Sequence, residues 1–419
     1  MKAITAIIPA AGEGVRMRSK RQKVLHEICG QSMLEWVLHA CMDSIEQKPI
    51  VVIGFDAQSV QSHIGDRAHF AIQTETMADG ILRALSTIKK REGYVLVLHG
   101  NLPMLGSDTV GMLVDAAEGK AASRLVYFEE DEETRVCAGY CFDINCLRDF
   151  LKGAAGQDIS AESCIRALRM EGERVVDVYA PAVECIAVLD RVDLWECTCL
   201  RQSYINDDHM LNGVTFIDPG SAYIGAGVDI GEDTTIYPGV ILQGDTRIGR
   251  GCTIYNGCRL MDTIVGDGCE LASVVAQEAA IESGSSVGPF VRLRPNAHIG
   301  KGCKVGNFVE VKNSTLGDGG KVAHLSYVGD ADIGKRINIG CGTAFANYDG
   351  ARKHRITIGD DVFLGCNTSL VAPVKLGSRA YTAAGSTITK SVPEDGLGVG
   401  RSRQTNIEGW VQPKAREKK

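Results

Sequence analysis

An aliphatic residue returns at every sixth position through much of the second half of this 419-residue chain. The first series spans residues 224–260, the second 281–311 and the third 358–376, and Ile388 rejoins the register of the third. Glycine commonly follows the aliphatic residue, as in Ile224-Gly225 and Ile358-Gly359. A period of six matches neither an amphipathic α-helix nor a strand with one buried face, because their periods are about 3.6 and 2 residues.

The period of six predicts a left-handed parallel β-helix, a triangular coil in which each flat side uses one hexapeptide. The aliphatic residue points into the prism, and small residues occupy the corners, where a larger side chain would clash. Two breaks in the period, near Met261–Thr263 and Asn313–Ser314, are predicted to be loops or register slips. Because each coil buries little surface, such solenoids tend to associate through their flat faces, and we expect a homotrimer.

The first half of the chain has the pattern of an α/β domain. A predicted strand at Ile4–Ile8 leads into the glycine-containing loop Ala10–Met17, and further strands are predicted at 49–53 and 94–98. Helical patterns at 33–41 and 80–89 separate these strands, which predicts a doubly wound parallel sheet with its site at the carboxyl ends of the strands. Backbone N–H groups of such a loop can approach phosphates.

These patterns predict four segments. An α/β domain covers residues 1–189, and a linker helix covers 190–212. The β-helix extends over 213–410, and a basic tail follows over 411–419. A charged terminal tail is usually solvated.

The composition narrows the classes of partner. A net charge of −7 argues against a nucleic-acid ligand, so an anionic substrate must be held by a few local Lys and Arg residues. No window reaches the roughly 18 apolar residues that a membrane span needs. The 15 cysteines show no metal-ligand spacing, which is typical of reduced thiols in a cytosolic protein. We therefore expect a cytoplasmic enzyme without a membrane or nucleic-acid partner.

Specific motifs give a closer assignment. The loop Ala10–Met17 with Lys23–His26 resembles the signature of nucleotide-sugar pyrophosphorylases. The motifs of the second half resemble one family, the bifunctional N-acetylglucosamine-1-phosphate uridyltransferase / glucosamine-1-phosphate acetyltransferases of bacterial cell-wall precursor synthesis. These motifs are Gly288–Pro295, Val305–Lys312, His324–Asp330, Asn338–Gly340, Asn347–Gly350, Gln404–Thr405 and Glu408–Trp410.

This resemblance implies transfer of an acetyl group from acetyl-CoA to glucosamine-1-phosphate. His324 would be the general base that deprotonates the 2-ammonium group, a task that suits an imidazole titrating near neutrality, and Glu310 would orient it. The resemblance assigns the sugar phosphate to Arg294, Lys312, Tyr327, Asn338 and Lys353. It assigns acetyl-CoA to Cys341, Asn347, Tyr348, Cys366, Ala384 and Arg401. In this family the site lies between neighbouring subunits of a trimer.

The first domain departs from the family pattern at its metal site. Asn101 stands where the family has an Asp ligand of Mg²⁺, and Leu189 stands at the second metal position. Because Mg²⁺ favours carboxylate ligands together with substrate phosphates, these changes predict a weakened metal site.

The nucleotide and sugar positions are altered in part. Ala78-Asp79 replaces a Gly-Thr pair near the nucleotide, Cys137 replaces a sugar-contacting Asn, and the segment 127–136 is shortened. The predicted positions that remain for UTP or a UDP-sugar are Gly12, Gly14, Arg16, Lys23 and Gln73.

Three functions remain open on the sequence. The leading hypothesis is an acetyltransferase in UDP-N-acetylglucosamine synthesis whose uridyltransferase domain has degenerated. The second is a fully bifunctional enzyme that also transfers UMP from UTP with Mg²⁺. The third, of another class, is a catalytically silent trimeric scaffold or nucleotide sensor.

Overall fold

The computed structural model describes residues 3–89, 92–128, 133–153 and 159–410, so the predicted basic tail lies outside the described residues. The chain divides into two compact units, Met1–Ile205 and Asn206–Lys419. The helix Arg191–Leu211 covers the predicted linker and runs through the boundary between the units. Every helix of the described part is too short or too polar to span a lipid bilayer.

The first unit is built on a seven-stranded sheet. In spatial order its strands are His69–Ile72, Ile50–Ile53, Ile4–Pro9, Tyr94–Leu98, Thr134–Asp143, Ala122–Phe128 and Val175–Tyr179. The strand Thr134–Asp143 is antiparallel to both neighbours and the other pairs are parallel. A separate small hairpin pairs Glu27–Ile28 with Gln31–Ser32.

Helices with one apolar side cover the sheet. They are Met33–Met42, Ala57–Ile64, Met77–Thr87, Ser107–Ala117, Ile144–Gly153 and Ala161–Met170. Short 3₁₀ turns occur at Val15–Met17, Lys23–Leu25, Gly65–Arg67 and Ala182–Cys185. Capping fixes where helices begin: Ser32 and Glu35 form a reciprocal capping box at the first helix, which satisfies backbone N–H groups that the helix itself cannot. The predicted α/β architecture is confirmed.

The second unit is a left-handed parallel β-helix with three sheets, here called faces 1, 2 and 3, and a 3₁₀ turn at Pro219–Ser221. Face 1 contains Thr215–Phe216, Thr235–Ile236, Thr253–Ile254, Glu270–Leu271, Ser286–Val287, Lys304–Asn307, Lys321–His324, Asn338–Ile339, Phe363–Leu364, Tyr381–Thr382 and Leu397–Gly398. Face 2 contains Tyr223–Ile224, Ile241–Gln243, Arg259–Met261, Val274–Gln277, Val291–Leu293, Glu310–Lys312, Tyr327–Gly329, Ala344–Ala346, Ser369–Val371 and Thr387–Ile388. Face 3 contains Asp229–Ile230, Arg247–Ile248, Ile264–Val265, Ala280–Ile281, Ala297–Ile299, Ser314–Leu316, Ala331–Ile333, Ile356–Ile358 and Lys375–Leu376.

The aliphatic residues of the hexapeptide series are buried inside the prism. Leu242 pairs with Leu260, and Leu364 pairs with the buried Thr382, so each inward side chain stacks on its equivalents in neighbouring coils. Parallel strands place these layers about 4.8 Å apart. The continuous stack of aliphatic side chains is the core of this unit.

The two breaks in the period are register slips, not loops. At the first, Asp262 has a left-handed backbone (φ 48°) and Arg247 pairs with Ile264, so that side of the coil is one residue shorter. At the second, Asn313 has φ 46°. The inward series continues through both regions. The true insertion is the segment between the strands Ala344–Ala346 and Ile356–Ile358, here called the 347–355 loop.

Candidate functional site

Four predicted site residues form one row along the edge between faces 1 and 2, here called the His324 row. The inward residues Val322, Ile339, Leu364 and Thr382 pair successively across four coils. The residue two positions after each of them belongs to the row: His324, Cys341, Cys366 and Ala384. The predicted base and three predicted acetyl-CoA positions therefore follow one edge, roughly 14 Å long at about 4.8 Å per coil.

His324 ends the strand Lys321–His324 and is exposed. Its partner in the preceding coil is Asn307. The backbone carbonyl of His324 accepts a hydrogen bond from Ser326 Oγ at 2.8 Å, which holds the turn after the strand. The imidazole itself has no hydrogen-bonding partner within the described part of the chain, so its nitrogens are free to meet a substrate.

A pair of lysines lies at the edge between faces 2 and 3, across face 2 from His324. Lys312 ends the strand Glu310–Lys312, and Lys353 comes from the 347–355 loop. The ammonium of Lys312 contacts that of Lys353 and lowers the pKa of Lys353. Arg294 and Arg355 have carboxylate partners, whereas neither lysine forms a salt bridge with a described residue. Two adjacent cations without an acidic partner are typical of a site that receives an anion.

The 347–355 loop is fastened to the β-helix at both ends. At its start, Asp330, only 5% exposed, accepts hydrogen bonds from Asn347 Nδ2 (2.5 Å) and Asn313 Nδ2 (2.6 Å). At its end, Arg355 makes a two-pronged ion pair with Asp332.

Within the loop, one carboxylate organises the turn. Asp349 accepts the N–H groups of Ala351 and Arg352 and contacts His354 Nε2 at 2.7 Å. These bonds hold the pKa of Asp349 below its usual range. The conformation of the loop that carries Lys353 is therefore held by hydrogen bonds within the loop and by contacts at both of its ends.

Tyr327 lies between His324 and the lysines. Its side chain passes over Gly329, and its Oη is 3.4 Å from Asn347 Nδ2. A Cβ on Gly329 would lie 2.4 Å from Tyr327 Oη and 2.7 Å from Asn347 Nδ2, so only glycine leaves room for this pair. In the adjoining strand of face 2, the outward residues Ala344 and Ala346 have small side chains.

Glu310 is placed differently from the prediction. Its carboxylate accepts a hydrogen bond from Arg294 Nη1 at 2.8 Å, and it makes no hydrogen bond with His324. Strand pairing places Glu310 beside Tyr327, one coil away on face 2. No hydrogen bond between Glu310 and His324 therefore supports the predicted orienting role of Glu310.

The other predicted residues are spread over different surfaces. Asn338 projects from face 1, in the column between Lys321 and Phe363. Tyr348 is 60% exposed on the loop, and Arg401 is exposed after the last strand.

In the first unit, the glycine loop is held by Gln22. Its Nε2 donates to the carbonyls of Ala10 (2.6 Å) and Gly12 (3.2 Å). Gly14 has φ 68°, and a Cβ there would lie 2.6 Å from Lys23 Cβ, so this position requires glycine. Burial, followed by the charge of Arg16, lowers the pKa of Lys23.

The two predicted metal positions are adjacent but lack ligands for Mg²⁺. Asn101 Nδ2 donates to the carbonyl of Val188 at 2.8 Å, and the Val188 N–H donates to the carbonyl of Asn101 at 2.9 Å. Leu189 offers an aliphatic side chain that is 36% exposed. The described residues contain no group of three His, Cys, Asp or Glu side chains able to hold a metal ion. The residues present do not fit Mg²⁺.

Two further replacements are absorbed into the fold. Asp79 lies in the first turn of the helix Met77–Thr87, where burial raises its pKa but bonds from Thr74 and Arg83 outweigh that effect and lower it. Cys137 is buried beside Cys185. Gln73 follows the edge strand and donates its backbone N–H to Ile53. Part of the segment predicted to be shortened, residues 129–132, lies outside the described residues.

Sequence reasoning missed three groups that the structure brings into these sites. Asp330 was visible only as part of a motif, and Asn313 only as a break in the period. In the first unit, burial and the nearby Lys23 lower the pKa of His99 to about 4. The positive φ values of Asp330 (51°) and Asn313 (46°) follow from the corner positions, and polar residues tolerate that backbone best.

Protein-family models match both units. A MobA-like NTP transferase domain matches residues 6–189. A bacterial transferase hexapeptide model of six repeats matches 227–262, 278–313 and 355–390, and omits the stretches with shorter coils or the inserted loop.

Curated relatives match the whole chain. The bifunctional protein GlmU of Clostridium botulinum (strain ATCC 19397 / Type A) is 37% identical over 453 aligned residues, covering 99% of each chain. The bifunctional protein GlmU of Caldanaerobacter subterraneus subsp. tengcongensis is 39% identical over 454, covering 100% of this chain and 99% of that protein. Both alignments are longer than this 419-residue chain, so this chain contains gaps relative to them. Among solved structures, a nucleotidyl transferase from Methanothermobacter thermautotroptrophicus covers 50% of this chain and 98% of its own, at 20% identity and a TM-score of 0.41.

Proposed function

This chain belongs to the GlmU family of bifunctional proteins, and we propose that its β-helical unit acetylates glucosamine-1-phosphate, with acetyl-CoA as the donor. The product, N-acetylglucosamine-1-phosphate, is the precursor of UDP-N-acetylglucosamine. The observation that carries the proposal is the placement of the exposed His324 on one edge of face 2 and of Lys312 and Lys353 on the other, with no hydrogen bond to the imidazole and no salt bridge to either lysine from a described residue. A cytoplasmic location remains a prediction.

The residues divide the chemistry between them. The two lysines bind the substrate phosphate, and Tyr327 lies between them and His324 on the coil that the sugar ring would cover. The imidazole of His324 accepts a proton from the 2-ammonium group, because only the free amine is a nucleophile. Acetyl-CoA supplies the acetyl group as a thioester. Backbone N–H groups at the corner can donate to the developing oxyanion.

The direct test replaces the base. His324→Ala should lower the kcat of acetyl transfer roughly 10²- to 10⁴-fold, the usual contribution of a general base. His298→Ala is the matched control, since His298 lies on face 3 and pairs with Glu282. Equal rates for the two variants would contradict the assignment of His324 as the base, and absence of acetyl transfer in the unaltered chain would favour a silent scaffold.

The active form is proposed to be a homotrimer. Phe290, Phe308 and Leu325 occupy the same corner in three successive coils, are 57–59% exposed and have positive φ. Phe290 and Phe308 stack at 5.2 Å. Bulky residues rarely adopt this backbone, and an apolar row of this kind is typical of a surface that another chain covers. A second copy of the chain seated there would close the site beside His324.

Uridyl transfer is proposed to be lost or much reduced, because Asn101 and Leu189, the residue after its hydrogen-bonding partner Val188, provide no carboxylate for Mg²⁺. The full-length similarity to bifunctional relatives favours the alternative, that both activities remain. Incubating the protein with N-acetylglucosamine-1-phosphate, UTP and Mg²⁺ and measuring pyrophosphate distinguishes loss of uridyl transfer from its retention. Pyrophosphate release at a rate comparable with acetyl transfer would overturn the proposed loss.

A further inference from the structure

Three cations lie in or beside the glycine loop of the first unit and have no acidic partner among the described residues. Arg16 belongs to the loop, Lys23 packs against Gly14, and Arg191 donates to the carbonyl of Met17 at 3.2 Å. The nearby Arg21 is paired with Glu27, but the other three form no salt bridge with a described residue. In a chain with a net charge of −7, this concentration of unpaired positive charge requires an explanation.

The same place holds a buried polar atom without a partner. His26 is 6% exposed, and its Nε2 has no hydrogen-bonding partner among the residues that the structure describes. Its Nδ1 faces Arg191 Nη1 at 3.5 Å, and burial together with Arg191 lowers the pKa of His26. Leaving a buried polar group unsatisfied costs about 1–3 kcal/mol, so such a group favours a site at which water, an ion or a ligand supplies the partner.

The cations and the former metal site meet at the carboxyl ends of two adjacent parallel strands. The strand Ile4–Pro9 leads into the glycine loop, and Tyr94–Leu98 leads into His99 and Asn101. The Gly100 N–H donates to the Pro9 carbonyl at 3.0 Å, which holds the two loops together. At Asn101 an amide replaces a carboxylate, and its Nδ2 is already bonded to Val188.

We propose that the first unit binds the diphosphate group of a nucleotide or nucleotide sugar without a divalent cation. Arg16, Lys23 and Arg191 supply the positive charge that Mg²⁺ would otherwise provide. Removing the carboxylate at position 101 also removes a negative charge that would repel a metal-free diphosphate. The site can therefore bind its ligand in the absence of the ion that uridyl transfer requires.

The inference rests on the proposed loss of the metal site but not on acetyl transfer. UDP binding is measured by titration calorimetry on the full chain, once in Mg²⁺ and once in EDTA. We expect dissociation constants that agree within about threefold and that rise with salt, as for other exposed charge interactions. Inorganic pyrophosphate and UDP-N-acetylglucosamine, titrated separately, distinguish a site for the diphosphate alone from one that also uses the nucleoside or the sugar.

Two variants test whether the positive charges of Lys23 and Arg16 bind the diphosphate. Lys23→Met keeps the aliphatic stem that packs on Gly14, and the exposed Arg16→Ala leaves the loop intact. Each should weaken UDP binding about tenfold, which corresponds to about 1.4 kcal/mol. Lys20→Met is the matched control on an exposed lysine of the same segment and should change nothing. Asn101→Asp should make binding weaker in EDTA than in Mg²⁺.

Binding that requires Mg²⁺ in the unaltered chain would overturn the inference, as would equal affinities of the Lys23 and Lys20 variants. Absence of binding by UDP, pyrophosphate and UDP-N-acetylglucosamine would also overturn it. Acetyl transfer is assayed on the same samples. If that activity persists while the diphosphate does not bind, only this inference fails. If acetyl transfer fails while the diphosphate binds in EDTA, the proposed function fails instead.

Discussion

At the scale of single residues, both units place next to each other cations that form no salt bridge with a described residue. Lys312 and Lys353 do so on the β-helix, and Arg16 and Lys23 do so beside the glycine loop. Like charges at close range destabilise the empty protein, and this cost is recovered only when an anion binds. Both pairs therefore predict ligands that carry phosphate.

The lysine pair gives a pH prediction. Because Lys312 lowers the pKa of Lys353, Lys353 loses its proton at a lower pH than an isolated lysine. Affinity for N-acetylglucosamine-1-phosphate should accordingly fall as the pH rises towards the lysine range. In Lys312→Met the neighbouring charge is gone, so binding should be weaker, but its alkaline fall should move to higher pH. Calorimetric titrations across pH test this, with the exposed Lys390→Met as the control. If the affinity falls at the same alkaline pH in the unaltered chain and in Lys312→Met, the two lysines are not coupled.

At the scale of elements, the β-helix is a uniform scaffold on which one insertion makes the site. The faces repeat the same short strands, and the 347–355 loop is the element that brings Lys353 to Lys312. Its buried anchor is Asp330, which accepts two amide donors.

Asp330→Asn should release this loop. An amide there presents a donor to Asn313 or Asn347, and an unsatisfied buried group costs about 1–3 kcal/mol. We expect a higher KM for glucosamine-1-phosphate with a smaller change in the KM for acetyl-CoA. Asp332→Asn is the control, because it removes the exposed pair with Arg355, which is worth about 0–1 kcal/mol. Steady-state kinetics and a thermal melt would separate them. Matching KM values for the two variants would show that Asp330 is not the anchor.

At the scale of the whole molecule, the oligomeric state is the principal expectation. Light scattering on the full chain should give three times its 44.9 kDa mass. Phe308→Asp should dissociate the trimer and reduce acetyl transfer, because a charge would enter the apolar row. The left-handed backbone at this position (φ 57°) tolerates Asp better than Phe, so folding should survive. Ile264→Asp, on an exposed side chain of face 3, should remain trimeric. A fully active monomer would refute the role given to this row.

The sequence alone determined the β-helix, because its core is a one-dimensional stack in which every inward position repeats locally. The register that aligns the His324 row, from Val322 to Thr382, crosses the 347–355 loop, so only the folded structure shows that row. Local patterns likewise predicted the α/β class of the first unit, and they placed three of its seven sheet strands and two of its covering helices within a few residues of where they lie.

Only the tertiary structure decided which distant side chains meet. The period indicated neither the contact between Lys312 and Lys353 nor the engagement of Glu310 with Arg294, because neither lies within one repeat. Asn101 and Val188 are hydrogen-bonded although 87 positions separate them in the sequence, so the structure alone shows that the Asn101 amide donates to a protein carbonyl at the predicted metal position. Local periodicity fixes a repeating core, whereas a site built from an inserted loop and crossing strands depends on contacts that exist only after folding.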